Sequence, residues 1–312
     1  MRVGLVFFRD DYLAVGGAKM SSPFYCPIFR QVLGEYGIGL DECWADELMP
    51  SPERYRNQLL VLVYREAWAL RNLAFGSTVE QTEQAARENN NTVLHGIELG
   101  RLIADKGHSN RVLCEAGIPV PKLVTGNSAA FAVFSNENDG THKPVFIHEA
   151  GAELDLKRYN TAYIDTTHYY HGEIYYVVLR AMCVGAKCVA VYVRVRPVSE
   201  GDPSVHATDS PVDAGLLNHL HKEIVTPRRA AIMELCEAIG GRLGLAFFAH
   251  DILPSNTSED LYVCETNFKF DLWYNRNHLV PLGDRVPHND HVAAAIRSSH
   301  AFVDGARKLG YL

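Results

Sequence analysis

Apolar and polar positions alternate along this chain in two distinct periods. "RVGLVFF" (2–8) and "NQLLVLVY" (57–64) are short, continuous apolar runs, the pattern of strands buried on both faces. "PIFRQVLGEYGI" (27–38) has helical spacing and should end at Gly37, and "STVEQTEQAARENN" (77–90) reads as a polar helix or a long connection. "NNNTVLHGIELGRLIADKG" leads out of this first region, Met1 to about Gly100. Strand and helix alternate there, which predicts an open α/β layer.

A second region spans about Arg101 to Asp165. "HSNRVLCEAGIPVP" predicts an N-capped helix stopped by Gly117, with Pro119 and Pro121 marking an extended exit. A polar loop, "SNENDGTHK", precedes a short strand in "KPVFIHE". From about Thr166 to Leu312 the pattern changes again. "EIYYVVLRAMCVGAKCVAVYVRVRP" is two β-rich runs around a turn at Gly185, and "SEGDPSVHATDSP" is a long loop. "GLLNHLHKEIVTPRRAAIMELCEAIGGRLGL" is helical, interrupted near Pro227, with a stop expected at Gly240-Gly241. "NDHVAAAIRSSHAFVDGARKLG" is a closing amphipathic helix capped at Asn289 or Asp290.

Between those last two helices lies "FFAHDILPSNTSEDLYVCETNFKFD" (247–271). Asn256, Ser258, Glu259 and Asp260 form a turn-rich cluster between two apolar runs, which signals a hairpin. Antiparallel pairing brings Asp251 near Glu265, and period-two alternation puts Glu265 and Asn267 on one side. Three oxygen-bearing side chains on one patch suit Mg²⁺, which takes one or two carboxylates plus substrate phosphates. A polar hairpin with its acids in water has the same spacing.

Composition narrows the function classes. The chain has 312 residues, 47% hydrophobic and 21% charged, as a globular protein should. A formal net charge of −7 argues against a general nucleic-acid binder. No apolar run reaches the ~18 residues that cross a bilayer, and "MRVGLVFFRDD" is charged too early for a signal peptide. Seven scattered cysteines, without C-x-x-C or zinc spacing, suggest free thiols in a reducing cytoplasm. The Asn90 and Asn256 sequons are then chance matches.

The order of these pieces resembles the ATP-grasp superfamily, in its RimK-like and glutathione-synthetase-like flavour. The resemblance covers roughly Leu102 to Phe270 and rests chiefly on D…E-x-N at Asp251, Glu265 and Asn267 and on "LRAMCVGAK…VRVRP". It implies an ATP-grasp fold: two α+β subdomains, 101–165 and 166–312, that clamp ATP, preceded by an open α/β domain, 1–100. The implied chemistry is that of a ligase. A carboxylate attacks the γ-phosphate of Mg²⁺-ATP, Mn²⁺ being the other usable ion, and an amine captures the acyl phosphate. Asp251, Glu265 and Asn267 match the family's Mg²⁺ ligands. Arg180 matches the arginine before the hairpin turn, and Arg194 or Arg196 the one facing phosphate or acyl phosphate. A guanidinium suits that task because it makes two parallel hydrogen bonds. Lys106 occupies the family's D-K dipeptide, and Arg111 stands where relatives place a phosphate-contacting lysine. Both also fit exposed helix charges. Ile164, Asp165, Thr166 and Thr167 occupy the adenine hinge, and His206 matches a nucleotide-proximal histidine.

Two departures stand out. Relatives carry lysine then proline in the strand before the glycine-rich loop; "PVFIHEAG" offers His148 and Glu149, with Lys143 ahead of the strand. The loop "HEAGAELDLKRYN" holds one glycine, Gly151, and is a poorer phosphate cradle. The histidine pairs 168/171, 219/221 and 288/291 lack a catalytic-zinc signature. Lys19, Ser21 and Ser22, after the first strand, are candidate substrate contacts because ligands sit beyond strand carboxyl ends. Two functions follow: a ligase joining small-molecule carboxylate and amine substrates, and an ATP-grasp protein that binds nucleotide or metabolite without ligation. Neither calls for a nucleic-acid or membrane partner. A homodimer is the default assembly.

Overall fold

The computed structural model describes residues 1–14, 25–138, 145–205, 213–268, 286 and 290–312. Lys19, Ser21, Ser22, Lys143, His206, His288 and Asn289 lie outside them.

The first hundred residues build a parallel sheet in the order β2-β1-β3-β4. Its strands are β1 (Arg2–Phe7), β2 (Gly39–Trp44), β3 (Leu59–Val63) and β4 (Thr92–Leu94). The "LLVLV" of β3 is buried at every position, as a strand covered on both faces should be. Among the described residues, α1 (Arg9–Ala14), α2 (Tyr25–Glu35), α3 (Ala45–Leu48), α4 (Glu66–Arg71), α5 (Leu73–Glu88) and a 3₁₀ turn (Pro52–Tyr55) connect the strands. The polar stretch after Ser77 belongs to α5. The Asn72 side chain caps it by accepting from the Phe75 N–H at 3.1 Å, and Phe75, Val79, Thr82 and Ala86 make its buried stripe.

Two helices lead onward, α6 (Ile97–Ala104) and α7 (Lys106–Glu115). Asp105 caps α7, and the chain leaves it through Gly117 at φ +74. A small antiparallel sheet follows, ordered β6-β5-β7, from β5 (Val133–Asn136), β6 (Phe146–His148) and β7 (Tyr159–Ala162).

The largest sheet is antiparallel, in the order β10-β9-β11-β12. Its members are β8 (Thr167–Tyr170), β9 (Glu173–Val184), β10 (Lys187–Pro197), β11 (Phe247–Pro254) and β12 (Leu261–Phe268). β9 spans twelve residues, long enough for β8 to pair with its first part and β11 with its second. The β9–β10 turn falls at Gly185, where the sequence puts it. α8 (Ala214–Leu220) widens into a π-turn and breaks at Pro227 before α9 (Arg229–Leu243).

α9 does not stop at Gly240-Gly241. It continues to Leu243 and ends at Gly244, φ +86. Gly240 serves contact instead. A Cβ there would fall 2.3 Å from the Gly185 carbonyl carbon and the Ala186 nitrogen, so glycine lets the helix touch the β9–β10 turn.

The closing helix, α10 (His291–Lys308), is capped by Asp290, whose carboxylate accepts from the Ala293 N–H at 3.0 Å. Its Phe302 meets Phe29 of α2 and Phe247 of β11 at ring-centroid distances of 5.2 and 5.3 Å. His95, just after β4, ties the same two parts together. Its Nδ1–H donates to the Leu62 carbonyl at 3.0 Å and its Nε2 accepts from the Phe247 N–H at 2.9 Å. The parallel and antiparallel sheets thus share one apolar core. All seven cysteines are free, and among the described residues no helix is long and apolar enough to cross a membrane.

Candidate active site

Three neighbouring strands of the large sheet carry a row of charges. Asp251 on β11 stands directly opposite Arg180 on β9 and opposite Glu265 on β12. Residues paired this way leave the same face of the sheet. Ala249 pairs with Asn267, so Asn267 shares that face, two positions along β12 from Glu265.

Arg180 is 7% exposed, and one of its terminal nitrogens donates to both Asp251 carboxylate oxygens, at 2.8 and 2.7 Å. Burial works against its charge. Asp251, Glu265 and Glu66 outweigh burial and hold the guanidinium above its usual value. Arg194 on β10, also 7% exposed, brings a terminal nitrogen to 3.6 Å from Asp251. From the other side comes Lys106, the first residue of α7. Its ammonium stands 3.9 Å from Glu265 although the residue is 6% exposed. A lysine is so deeply buried only where carboxylates face it.

α7 is held rigidly where Lys106 leaves it. The Asp105 carboxylate accepts from the His108 N–H at 2.8 Å and from Asn138 Nδ2 at 3.0 Å. The Lys106 and Gly107 N–H groups donate to the carbonyl and side-chain oxygens of Asn138 at 3.2 and 2.7 Å.

The cluster therefore unites Arg180, Arg194, Lys106, Asp251, Glu265 and Asn267. Among the described residues three cations face two carboxylates, and Glu66, also buried, acts on Arg180 as a third acid, so the charges nearly balance. A bare divalent ion would leave the cluster positive; Mg²⁺ arriving with a polyphosphate would not, and oxygen donors are what Mg²⁺ takes. The donor set thus fits Mg²⁺ bound together with phosphate, with Asp251, Glu265 and Asn267 as its protein oxygens.

Other candidates sit elsewhere. Arg196 is two residues from Arg194 but pairs with Glu200 at 2.9 Å and Asp202 at 2.8 Å and donates to the Ser204 carbonyl at 3.0 Å. It fastens the loop after β10. Arg111 is exposed on α7. His148 lies in the small sheet, opposite Val133 on β5, beside the Phe146 ring.

Ile164 to Thr167 bridge the small sheet and the large one. The Asp165, Thr166 and Thr167 carbonyls accept from Asn256 N–H, Val177 N–H and Asn256 Nδ2 at 2.9, 3.2 and 3.1 Å. The Asp165 carboxylate accepts from the Thr167 N–H and hydroxyl at 2.9 and 2.8 Å. The crossing is therefore stitched to the β11–β12 turn.

Sequence reasoning passed over two acids and an arginine. Glu66, 5% exposed at the start of α4, acts electrostatically on Arg180. Asp11, fully buried, receives the Arg65 backbone N–H at 3.0 Å and Nε–H at 2.6 Å, which fixes a partly exposed guanidinium. Asp11 follows β1 and Arg65-Glu66 follow β3, beyond strand carboxyl ends, where open α/β layers bind ligands.

No protein-family model matches this sequence, and no curated protein matches it. Solved structures do. The D-alanine–D-alanine ligase of Bacillus anthracis aligns with TM-score 0.54 at 12% identity, over 99% of this chain and 98% of that one. Its complex with ATP aligns with TM-score 0.52 at 11% identity, over the same shares. The ATP-grasp ligase PsnB, complexed with precursor peptide PsnA2 and AMPPNP, aligns with TM-score 0.51 at 11% identity, over 95% of this chain and 97% of that one. At such identities the likeness speaks to architecture alone, and at that level the chain has the ATP-grasp fold.

Proposed function

We propose that this protein is an ATP- and Mg²⁺-dependent ligase that activates a small-molecule carboxylate as an acyl phosphate for capture by an amine. The observation that carries the reading is the buried row Arg180–Asp251–Glu265–Lys106, with Arg194 and Asn267 on its flanks. Residues 101–165 and 166–312 act as the two halves of the clamp, and 1–100 as the domain that completes the acceptor pocket. The RimK-like and glutathione-synthetase-like flavour belongs to the same proposal.

Asp251, Glu265 and Asn267 hold Mg²⁺, which supplies charge neutralisation and orientation of the phosphates. Arg180 keeps the Asp251 carboxylate turned to that task. Lys106 pairs with a phosphate oxygen as well as Glu265. Arg194 stabilises charge on the phosphoryl group as it passes to the carboxylate, a preorganised role suited to a rigid, desolvated guanidinium. The Ile164–Thr167 crossing lies along the adenine, and His148 and Arg111 reach the phosphates from the other half of the clamp. Arg65, braced by Asp11, is the N-terminal domain's contact for a substrate carboxylate.

A second reading rests on the same cluster. Asp251 already meets two arginines and Glu265 a lysine, and His148 replaces the family's lysine. A site so neutralised also suits a protein that binds nucleotide or metabolite without ligation. Mg²⁺-dependent ADP release, measured across paired amino acids and small carboxylic acids, separates the two. Release that needs Mg²⁺ and a carboxylate supports the ligase; tight Mg²⁺-ATP binding with no release for any pair supports the binder.

A further inference from the structure

The opposite face of the large sheet carries a second cluster. Cys183 follows Arg180 by three residues on β9, so its side chain leaves the other face. Cys188 on β10 stands directly across from it, just before a register shift between Cys188 and Ala190. Cys236 arrives from α9. The three sulfur atoms all lie within 4.8 Å of one another. Cys183 and Cys236 are buried and Cys188 is half-buried.

Packing places them together. Cys236 and Gly240 are four residues apart on α9 and face the same way. Gly240 sits against Gly185 and Ala186, in the turn that separates Cys183 from Cys188, closer than any side chain would permit. That contact presses the helix onto the hairpin, so the third sulfur reaches the other two.

We propose that Cys183, Cys188 and Cys236 form a binding site for one thiophilic divalent ion of the zinc and cadmium class, held by three thiolates. Thiolates select such ions over the hard cations of the phosphate site. Metal–sulfur bonds of about 2.3 Å in a trigonal set place the sulfurs ~4 Å apart, so closing on an ion takes less than ~1 Å of movement. Three thiolates around a divalent ion leave one negative charge, and Arg229, at the start of α9, acts electrostatically on Cys188 and offsets it. A Cys183–Cys188 disulfide would use two sulfurs and leave the third without a role.

The test is a Cd²⁺ titration of the full chain, reduced and oxygen-free, followed by ultraviolet thiolate-to-cadmium charge transfer and by Tm. One Cd²⁺ per chain, a charge-transfer band and a rise in Tm are expected. Cys188→Ser, at the half-buried position, should weaken Cd²⁺ binding at least a hundredfold and remove most of the band. Cys236→Ala, which keeps an apolar group in the core, should do the same. Cys114→Ser, at an exposed cysteine, should change neither. Mg²⁺-ATP binding should survive Cys188→Ser, because the clusters occupy opposite faces. The site is overturned if the band is absent, persists in Cys188→Ser, or depends on Cys114. It is equally overturned if the reduced protein ignores Cd²⁺ while mild peroxide yields a Cys183–Cys188 disulfide.

Discussion

Glu265→Gln keeps the size of the side chain and removes one charge. Two consequences follow from its surroundings. The first concerns stability. Lys106 lies 3.9 Å away, and both side chains are largely buried, 5% and 14% exposed. Unit charges at that distance attract by about 4 kcal/mol at an effective dielectric near 20, most of it offset by desolvation. The variant leaves the Lys106 charge buried and unpaired, so a loss of about 3–5 kcal/mol is expected, to be set against the ~5–15 kcal/mol that holds a domain folded. The second concerns ligand binding. The neutral amide that replaces the carboxylate is a weak ligand for Mg²⁺, and Mg²⁺-ATP affinity or turnover should fall at least tenfold, about 1.4 kcal/mol. The same change removes a negative charge facing the phosphates, so ATP without Mg²⁺ should bind as well as before or better. Titration calorimetry with ATP, with and without Mg²⁺, reads both arms, and thermal unfolding checks the fold. Damage to packing alone would weaken both arms together. Unchanged Mg²⁺-ATP binding and turnover in a folded variant would refute the metal assignment.

Arg194→Met should cut turnover roughly a hundredfold with little change in ATP binding; steady-state kinetics decide, and the same loss from Arg196→Met with Arg194→Met near wild type would reverse the two roles. His148→Lys should keep or strengthen Mg²⁺-ATP binding and His148→Ala weaken it; equal affinity in all three proteins would show that β6 does not face the phosphates. His95 is pushed down to about 3 by burial, while in the unfolded chain a histidine titrates near ~6.5. The unfolded state therefore binds the extra proton between about pH 3 and 6.5, and stability should fall as pH drops through that window, by up to ~1.4 kcal/mol per pH unit from this group. Urea unfolding of parent and His95→Gln across that range checks it; equal slopes would exclude the contribution.

Elements whose periodicity was unambiguous were legible. "LLVLV" became the fully buried β3, and the two runs around Gly185 became β9 and β10. The misread stop at Gly240-Gly241 has a specific cause. Glycine ends a helix when the backbone needs positive φ, and permits contact when a neighbour leaves no room for Cβ. From sequence the two uses look alike. Gly244 turned out to be the first kind and Gly240 the second. The choice between Asn289 and Asp290 as cap likewise needed the observed bond to Ala293.

The candidate site divides along the same line. Asp251, Glu265 and Asn267 were legible because one hairpin holds all three, and period two with a short turn sets their relation. The cations were named only through the family resemblance and with alternatives left open, because their partners come from afar. Arg194 and Arg196 have the same strand spacing, yet one reaches Asp251 across the sheet while the other is taken by Glu200 and Asp202 in its own loop. Lys106 fitted both the family's D-K dipeptide and an exposed helix charge until α7 placed it against Glu265. The three cysteines are the extreme case. Cys183 and Cys188 are joined by a hairpin and could have been paired from its turn, but Cys236 lies 48 residues beyond Cys188 on a helix whose approach depends on Gly240. Local spacing determines which side chains share a face. What those side chains meet is determined by which elements pack together, and a glycine with no room for a Cβ is one of the few sequence marks that packing leaves.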